Sequence, residues 1–156
     1  MIVSNFEQSI RMTTQHDHAR VAGTIARNWK VSQVLKNSTF FAIDNHDVGW
    51  YGLDLNPVFD RKIQMPFSFF STTSEDAVGL WNDSIEVCQQ FSVFSGYLVS
   101  MHFYMLAKVG MDDAPESQYE ILNNFMCQEE NRQRELRKKM REVENLHKES
   151  MGELLR

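Results

Sequence analysis

Apolar residues recur at helical spacing through much of this 156-residue chain, and this pattern favours an all-α fold. Val21, Ile25 and Trp29 lie four residues apart in an early segment. A later segment repeats the pattern at Phe94, Leu98, Met101, Met105 and Val109. We expect both apolar stripes to face a core. The chain has only three Pro and seven Gly, which favours long helices over a loop-rich fold.

The patterns predict a bundle of about five helices joined by one long connection. The helices cover about residues 15–30, 37–47, 74–90, 91–109 and 115 onwards, the last with Ile121, Leu122, Phe125 and Met126 packed inward. Residues 1–14 are expected to be an extended lead-in in which Met1 to Val3 could form a short strand, and no other strand is predicted. Residues 50–73 contain Pro57 and Pro66 but are rich in aromatic side chains. We therefore expect an ordered aromatic loop over the mouth of the site.

The composition shifts after Gln128, where charged and amide side chains dominate. This shift divides the chain into a helical domain, residues 1–127, and a polar C-terminal helix, residues 128–156, continuous with the last bundle helix. Its apolar residues thin to a narrow seam at Leu136, Met140, Val143, Leu146, Met151 and Leu154. A seam of this kind lies on a solvated helix, or docks on a partner or on a missing part of its own protein. If the partner is a second copy of the chain, we expect a homo-oligomer formed through this helix.

The overall charge and the cysteine content narrow the class of protein. A net charge of −5 argues against broad binding to nucleic acid or to an anionic membrane. No apolar run approaches the roughly 20 residues that span a bilayer, and residues 1–10 lack the pattern of a signal peptide. Cys88 and Cys127 form no CxxC pair and are expected to be reduced thiols. These features predict a cytoplasmic protein.

A His-Asp pair, His46 and Asp47, ends the second predicted helix, just before Gly49. His18 and His102 lie near the apolar faces of two other helices, and a bundle can bring such positions together. Imidazole and carboxylate groups suit a divalent transition metal such as Fe, Mn, Zn or Ni. Each histidine could instead be a hydrogen-bonded core residue.

The order and spacing of these motifs resemble the HD-domain superfamily of metal-dependent phosphohydrolases. The resemblance rests on residues 18–22 (His-Ala-Arg-Val-Ala) and 45–50 (Asn-His-Asp-Val-Gly-Trp). Over about residues 13–140 the chain looks still more like a bacterial family of HD-like proteins of unknown function. The resemblance implies an HD-like helical bundle with a metal held by His18, His46, Asp47 and His102, and a catalytic role for Asp47.

The chain departs from the HD pattern in one position, because that pattern includes a late Asp from a further helix and no Asp follows Asp113 here. We expect either that the shell is completed otherwise or that the last helix is absent. The leading hypothesis is a phosphohydrolase acting on a phosphate ester or nucleotide. The alternatives are a non-catalytic ligand-binding or interaction module that keeps the pocket, and a purely structural bundle.

Three further residues are candidates for contact with a small phosphorylated ligand. Gln15 precedes the first helix and could bind a ligand or act as a cap. Trp50 could form a binding platform or belong to the core. Arg61 could contact phosphate or be a surface charge.

Overall fold

The structure is a computed structural model that describes residues 1–7, 9–30, 37–62, 64–112 and 114–154, without the side chains of Phe6 and of residues 146–154. Six α-helices follow one another in these residues: α1 (Gln15–Arg27), α2 (Asn37–Asn45), α3 (Tyr51–Leu55), α4 (Ser74–Phe91), α5 (Val93–Met111) and α6 (Glu116–Leu154). Because α3 is little more than one turn, five helices dominate the fold. The predicted all-α fold of about five helices is confirmed.

Two small antiparallel hairpins accompany the helices. They pair β1 (Ile2–Phe6) with β2 (Ser9–Thr13), and β3 (Phe59–Asp60) with β4 (Met65–Pro66). The prediction of a single short strand was therefore wrong. In β2, Ile10 and Met12 do alternate with polar residues, but over five positions this signal is weak and both side chains remain exposed.

The main core lies between α4, α5 and α6, which pack against one another. The Trp81 indole stacks on Phe103 with ring centroids 5.4 Å apart and meets Phe125 at 5.3 Å. Ile85 and Leu122 complete the centre of this cluster. Leu122 and Phe125 are therefore buried as the sequence predicts.

The predicted apolar stripe of α1 faces outward, which corrects the sequence analysis. Val21, Ile25 and Trp29 are 59%, 59% and 66% exposed. The buried side of α1 instead consists of small residues, including Ala19 and Ala26, together with Gln15 and Gly23. Small side chains allow α1 to lie close to α2, so the larger apolar residues are left on the outer faces.

The predicted stripe of α5 is also largely outward. Met101, Met105 and Val109 are exposed, as is Phe94, whereas Leu98 is half-buried. The side of α5 that enters the core carries Val99, Phe103 and Ala107, alongside small residues. A helix that is apolar almost all round gives no clear periodic signal for its buried side, and this explains the error.

Helix α6 continues without a break through the predicted boundary between residues 127 and 128. Beyond that boundary Glu129 and Leu136 are buried, and Arg132 Nη2 donates to Asn82 Oδ1 on α4 at 2.8 Å. Arg137 Nη1 donates to the Tyr97 hydroxyl at the start of α5. The bundle therefore extends well into the predicted polar helix. The seam side chains at positions 146, 151 and 154 lie outside the described residues.

The segment between α2 and α4 is ordered and contains two 3-10 helices, Val48–Trp50 and Phe69–Ser71, in addition to α3 and the second hairpin. Its aromatic rings pack on one another, with Trp50 and Phe69 centroids 5.7 Å apart. No helix in the parts of the chain described here is long and apolar enough to cross a membrane.

Candidate metal centre

The start of α1, which carries His18, is held by two caps. Thr14 Oγ1 accepts a hydrogen bond from the Asp17 amide at 2.9 Å. Asp54 Oδ2 on α3 accepts from the Gln15 amide at 2.7 Å and from the His16 amide at 3.3 Å. These bonds satisfy amides that the first turn of a helix leaves unpaired. The negative charge of the carboxylate is also stabilised by the positive end of the helix dipole. Asp54 thus fixes the first turn of α1 against α3.

His46 and Asp47 lie in the turn that joins α2 to the first 3-10 helix, and Gly49 holds that turn against α4. The Gly49 amide donates to Ser84 Oγ at 2.9 Å. A Cβ atom at Gly49 would overlap the Leu80 carbonyl oxygen. Gly49 is therefore required because the turn approaches α4 closely. It is not required for a left-handed turn, since its φ is not positive.

The structure brings three predicted ligands together at one point. His18, His46 and Asp47 each offer one ligand atom, and these atoms lie within 4.8 Å of one another. His46 Nε2 lies 3.2 Å from Asp47 Oδ2. The fourth predicted ligand, His102 on α5, is adjacent, with its ring centroid 4.9 Å from that of His46. We call these four residues the histidine cluster.

A backbone hydrogen bond fixes the orientation of the His46 ring. Its Nδ1 lies 2.8 Å from the Ile43 carbonyl oxygen, which can only accept a hydrogen bond. The proton therefore belongs on Nδ1. In the neutral ring Nε2 then carries the lone pair, and this atom lies 3.2 Å from Asp47 Oδ2. Metal-binding histidines are commonly oriented by such a bond from the second ring nitrogen.

The electrostatics of the cluster differ between its histidines. Burial lowers the pKa of His46, but the hydrogen bond and charge of Asp47, together with the Ile43 carbonyl, outweigh this effect and raise it overall. The pKa of His102 is lowered, first by burial of its ring and then by the neighbouring His46. His102 as a whole residue is exposed, but its imidazole ring packs edge-on against His46 and Phe103, which explains the effect of burial on its pKa. A neutral His102 is the form that can bind a metal.

The three histidines of the cluster line an open cavity of about 520 Å³ between α1, α2 and α5, whereas Asp47 is buried behind them and does not line it. Apart from the three histidines, the lining is almost entirely apolar: Ala22, Thr39, Ala42, Ile43, Leu98 and Val99. No Arg or Lys is among these lining residues. The cavity thus offers metal ligands on one wall and a surface for an apolar group on the others.

The three predicted ligand-contacting residues do not line this cavity. Gln15 is buried in the first turn of α1, and Trp50 is 2% exposed one 3-10 turn beyond Asp47. Arg61 is exposed in the connection between β3 and β4. The aromatic loop likewise lines a different cavity from the histidine cluster, so its expected position over the site mouth was wrong.

Sequence reasoning did not assign roles to Asp54 and Ser84, the two residues that support the site from other elements. Their partners lie 39 and 35 residues away in the chain. No local pattern marks a contact of that separation, so only the folded arrangement reveals it.

The donor set fits a divalent transition metal. Two imidazoles and a carboxylate, with a third imidazole adjacent, match the nitrogen and oxygen ligands that Zn, Fe, Mn or Ni accept. The hydrogen bond between His46 Nδ1 and the Ile43 carbonyl oxygen already orients the ring, as expected for such a site.

Fold and site together define an all-α protein with a histidine-aspartate cluster at the junction of three helices. The whole chain, residues 1–156, matches the family described as "Protein of unknown function (DUF3891)", and the protein belongs to that family. No curated protein and no solved structure matches the chain.

Proposed function

We propose that this chain is an HD-like, metal-dependent phosphohydrolase whose metal is held by His18, His46 and Asp47, with His102 alongside. The observation that carries the proposal is the hydrogen bond from His46 Nδ1 to the Ile43 carbonyl, which turns Nε2 toward Asp47. The resemblance of the two histidine motifs to the HD-domain superfamily supports the same conclusion. The proposed substrate is a small phosphate ester or nucleotide.

The histidines and Asp47 have different proposed roles. The histidines would hold the metal, and a metal bound there would supply Lewis-acid activation of water and of a phosphate oxygen. Asp47 is only 5% exposed, and its Oδ2 faces His46. Its carboxylate can therefore bind the metal, accept a proton from the attacking water, or do both. The apolar walls of the cavity would hold the rest of the ester.

Hydrolysis of 4-nitrophenyl phosphate by protein loaded with Mn²⁺ or Zn²⁺ tests the enzymatic role. We expect Asp47→Asn to lower the rate by at least about 100-fold, since it removes the carboxylate charge that general-base catalysis needs. Asp83→Asn, at an exposed position on α4, is the matched control and should retain the wild-type rate. Equal rates in wild type and Asp47→Asn would contradict the enzymatic role.

A second candidate function is a non-catalytic interaction module, and the exposed apolar faces favour it. Ile25 on α1, Trp29 just beyond its end, and Met105 and Val109 on α5 are all more than half exposed, and residues of both helices line the cavity. Large apolar side chains are typical of interaction sites where they form a contiguous exposed patch. The absence of Arg and Lys from the described cavity lining also suits a module that does not bind phosphate tightly.

Sedimentation equilibrium distinguishes self-association through the exposed apolar faces from self-association through the C-terminal helix. A double variant, Ile25→Ser with Met105→Ser, alters only exposed positions, and a chain ending at Arg141 removes the last part of α6. Loss of a dimer in the double variant supports the apolar faces, and loss in the shortened chain supports the predicted C-terminal helix. A monomeric wild type at high concentration contradicts both.

A further inference from the structure

The open cavity beside the histidine cluster is polar at one end and apolar along the rest of its length. Its floor follows one side of α2, from Thr39 through Ala42 to His46, which lies just past the end of that helix. This floor covers about two helical turns, or roughly 10 Å. The rings of His18 and His102 meet that of His46, so the histidines gather at one end. A ligand along this floor meets histidines with one end and apolar side chains with the other.

The walls beyond the histidines offer almost no hydrogen-bonding groups. The next lining residues are Ala22 on α1, and Leu98 and Val99 on α5, each about one turn from the histidine of its helix. Among the lining residues that the structure describes, only Thr39 adds a polar side chain to the three histidines. Ala42 and Val99 are 3% and 1% exposed, so these walls belong to the packed bundle.

This distribution of polar groups favours one class of organic group over another. A nucleoside carries ribose hydroxyls and base nitrogen atoms, and most of them would lose water here without gaining a partner, which costs free energy. An alkyl or aryl group forms no such bonds with water and gains free energy when it is buried. The cavity therefore suits an apolar group attached to a head group that lies at the histidines.

The apolar surface continues outside the cavity on both walls. Exposed apolar side chains lie one helical turn from lining residues: Val21 and Ile25 on α1, and Met101 and Met105 on α5. Residues three apart are neighbours on the surface of a helix, so these side chains extend the apolar lining. A chain longer than the cavity would remain in contact with apolar side chains.

We propose that the substrate at the histidine cluster is the phosphate monoester of an apolar alcohol, and not a nucleotide. Its phosphate lies at the histidines, and its alkyl or aryl group lies along the apolar floor toward Thr39. This assignment rests on the proposed phosphohydrolase function, which leaves both kinds of ester open.

Isothermal titration calorimetry with alkylphosphonates tests the assignment, because these molecules share one head group and are not hydrolysed. Methyl-, butyl- and hexylphosphonate are titrated into the full chain, once loaded with Zn²⁺ and freed of excess metal, and once in EDTA. We expect affinity to rise about 2–4-fold with each added methylene group, and hence at least about 30-fold from methyl to hexyl. The phosphonate analogue of adenosine monophosphate should bind no more than about 3-fold more tightly than methylphosphonate, since its polar groups find few partners.

Two positions on α1 provide a matched pair of variants that introduce the same side chain. Ala22→Leu fills part of the apolar end and should weaken hexylphosphonate binding at least about 10-fold, with methylphosphonate binding unchanged. Thr24→Leu, at an exposed position that does not line this cavity, should leave both affinities unchanged. Leu98→Gln places an amide in the opposite wall and should also weaken binding of the hexyl compound. Circular dichroism establishes that each variant is folded.

Equal affinities for methyl- and hexylphosphonate in the wild type overturn the assignment, as does a nucleotide analogue that binds as tightly as the hexyl compound. Unchanged hexylphosphonate binding in the folded variants, Ala22→Leu or Leu98→Gln, also overturns it. Failure of the proposed function gives a different result, namely the same methylphosphonate affinity with Zn²⁺ and in EDTA. If Ala22→Leu fails to fold, Leu98→Gln and the wild-type series still decide the assignment.

Discussion

Glu129 is fully buried on α6, although it lies in a stretch whose sequence is almost wholly charged. Burial raises the pKa of its carboxyl group, while the neighbouring Ser100 hydroxyl and the charge of Arg132 act in the opposite direction. Arg132 Nε lies 3.0 Å from Glu129 Oε1, and Gln133 also donates to Ser100 Oγ at 3.1 Å. A polar network of this kind joins α6 to α5 inside an otherwise apolar bundle.

The raised pKa of Glu129 makes the stability of the fold depend on pH. Between the pKa of the unfolded chain and the higher pKa of the folded protein, the folded state binds the additional proton, so stability falls as pH rises. Glu129→Gln removes this proton uptake. We expect the melting temperature of the variant, relative to wild type, to be higher at pH 7.5 than at pH 5, whereas Glu135→Gln, at an exposed position, should show no such trend. A difference that does not change with pH would contradict this account.

The two cysteines should differ strongly in reactivity. Burial raises the pKa of the Cys88 thiol to about 12, whereas Cys127 is exposed. Because the thiolate is the reactive form, we expect one fast-reacting thiol per folded chain with Ellman's reagent at pH 8, and two in denaturant. The fast reaction should be lost in Cys127→Ser. Two fast-reacting thiols in the folded wild type would show that Cys88 is accessible.

At the level of elements, the turn that carries His46 and Asp47 is positioned by its contact with α4. Gly49→Ala should lower the free energy of unfolding by about 1–3 kcal/mol, since the new Cβ overlaps the Leu80 carbonyl oxygen. Gly79→Ala on α4 is the control, because a Cβ there meets nothing within 4 Å and alanine is the better helix former. We expect it to stabilise the fold by about 0.5–1 kcal/mol in chemical denaturation. Equal effects of the two substitutions would contradict the close-approach role of Gly49.

The sequence predicted most of the helices because their capping residues and breaks are local signals. Thr73, for example, accepts a hydrogen bond from the Asp76 amide and caps the start of α4. The side of each helix that becomes buried was less predictable. Val21 and Ile25 form a regular stripe, but the pattern shows only that one face is apolar and not what covers it.

The candidate site, like the helices, was only partly predictable from the sequence. The spacing of the histidine motifs led to His18, His46, Asp47 and His102, and these residues meet in the fold. The expected ligand contacts of Trp50 and Arg61 rested on their place in the loop, and the path of a loop depends on long-range packing. That packing buries Trp50 and leaves Arg61 in an exposed connection.

At the scale of the whole molecule, the stability of the bundle is concentrated between α4, α5 and α6. Ile85→Ala, at a fully buried position, should lower the free energy of unfolding by about 2–5 kcal/mol. Ile25→Ala deletes the same atoms from an exposed position on α1 and should change it by no more than about 0.5 kcal/mol. Chemical denaturation of both variants checks this contrast. A large loss in Ile25→Ala would show that the outer face of α1 is covered in solution.

The metal content of the purified chain tests the central claim most directly. Protein prepared without chelator or nickel resin is dialysed and measured by inductively coupled plasma mass spectrometry, in wild type, His46→Ala and the control His16→Ala. His16 is a suitable control because its ring packs against Tyr51 and it is not a member of the histidine cluster. We predict bound divalent metal in stoichiometric amount in wild type and His16→Ala, and its loss in His46→Ala. A folded, metal-free wild type, or equal metal content in all three proteins, would contradict the account.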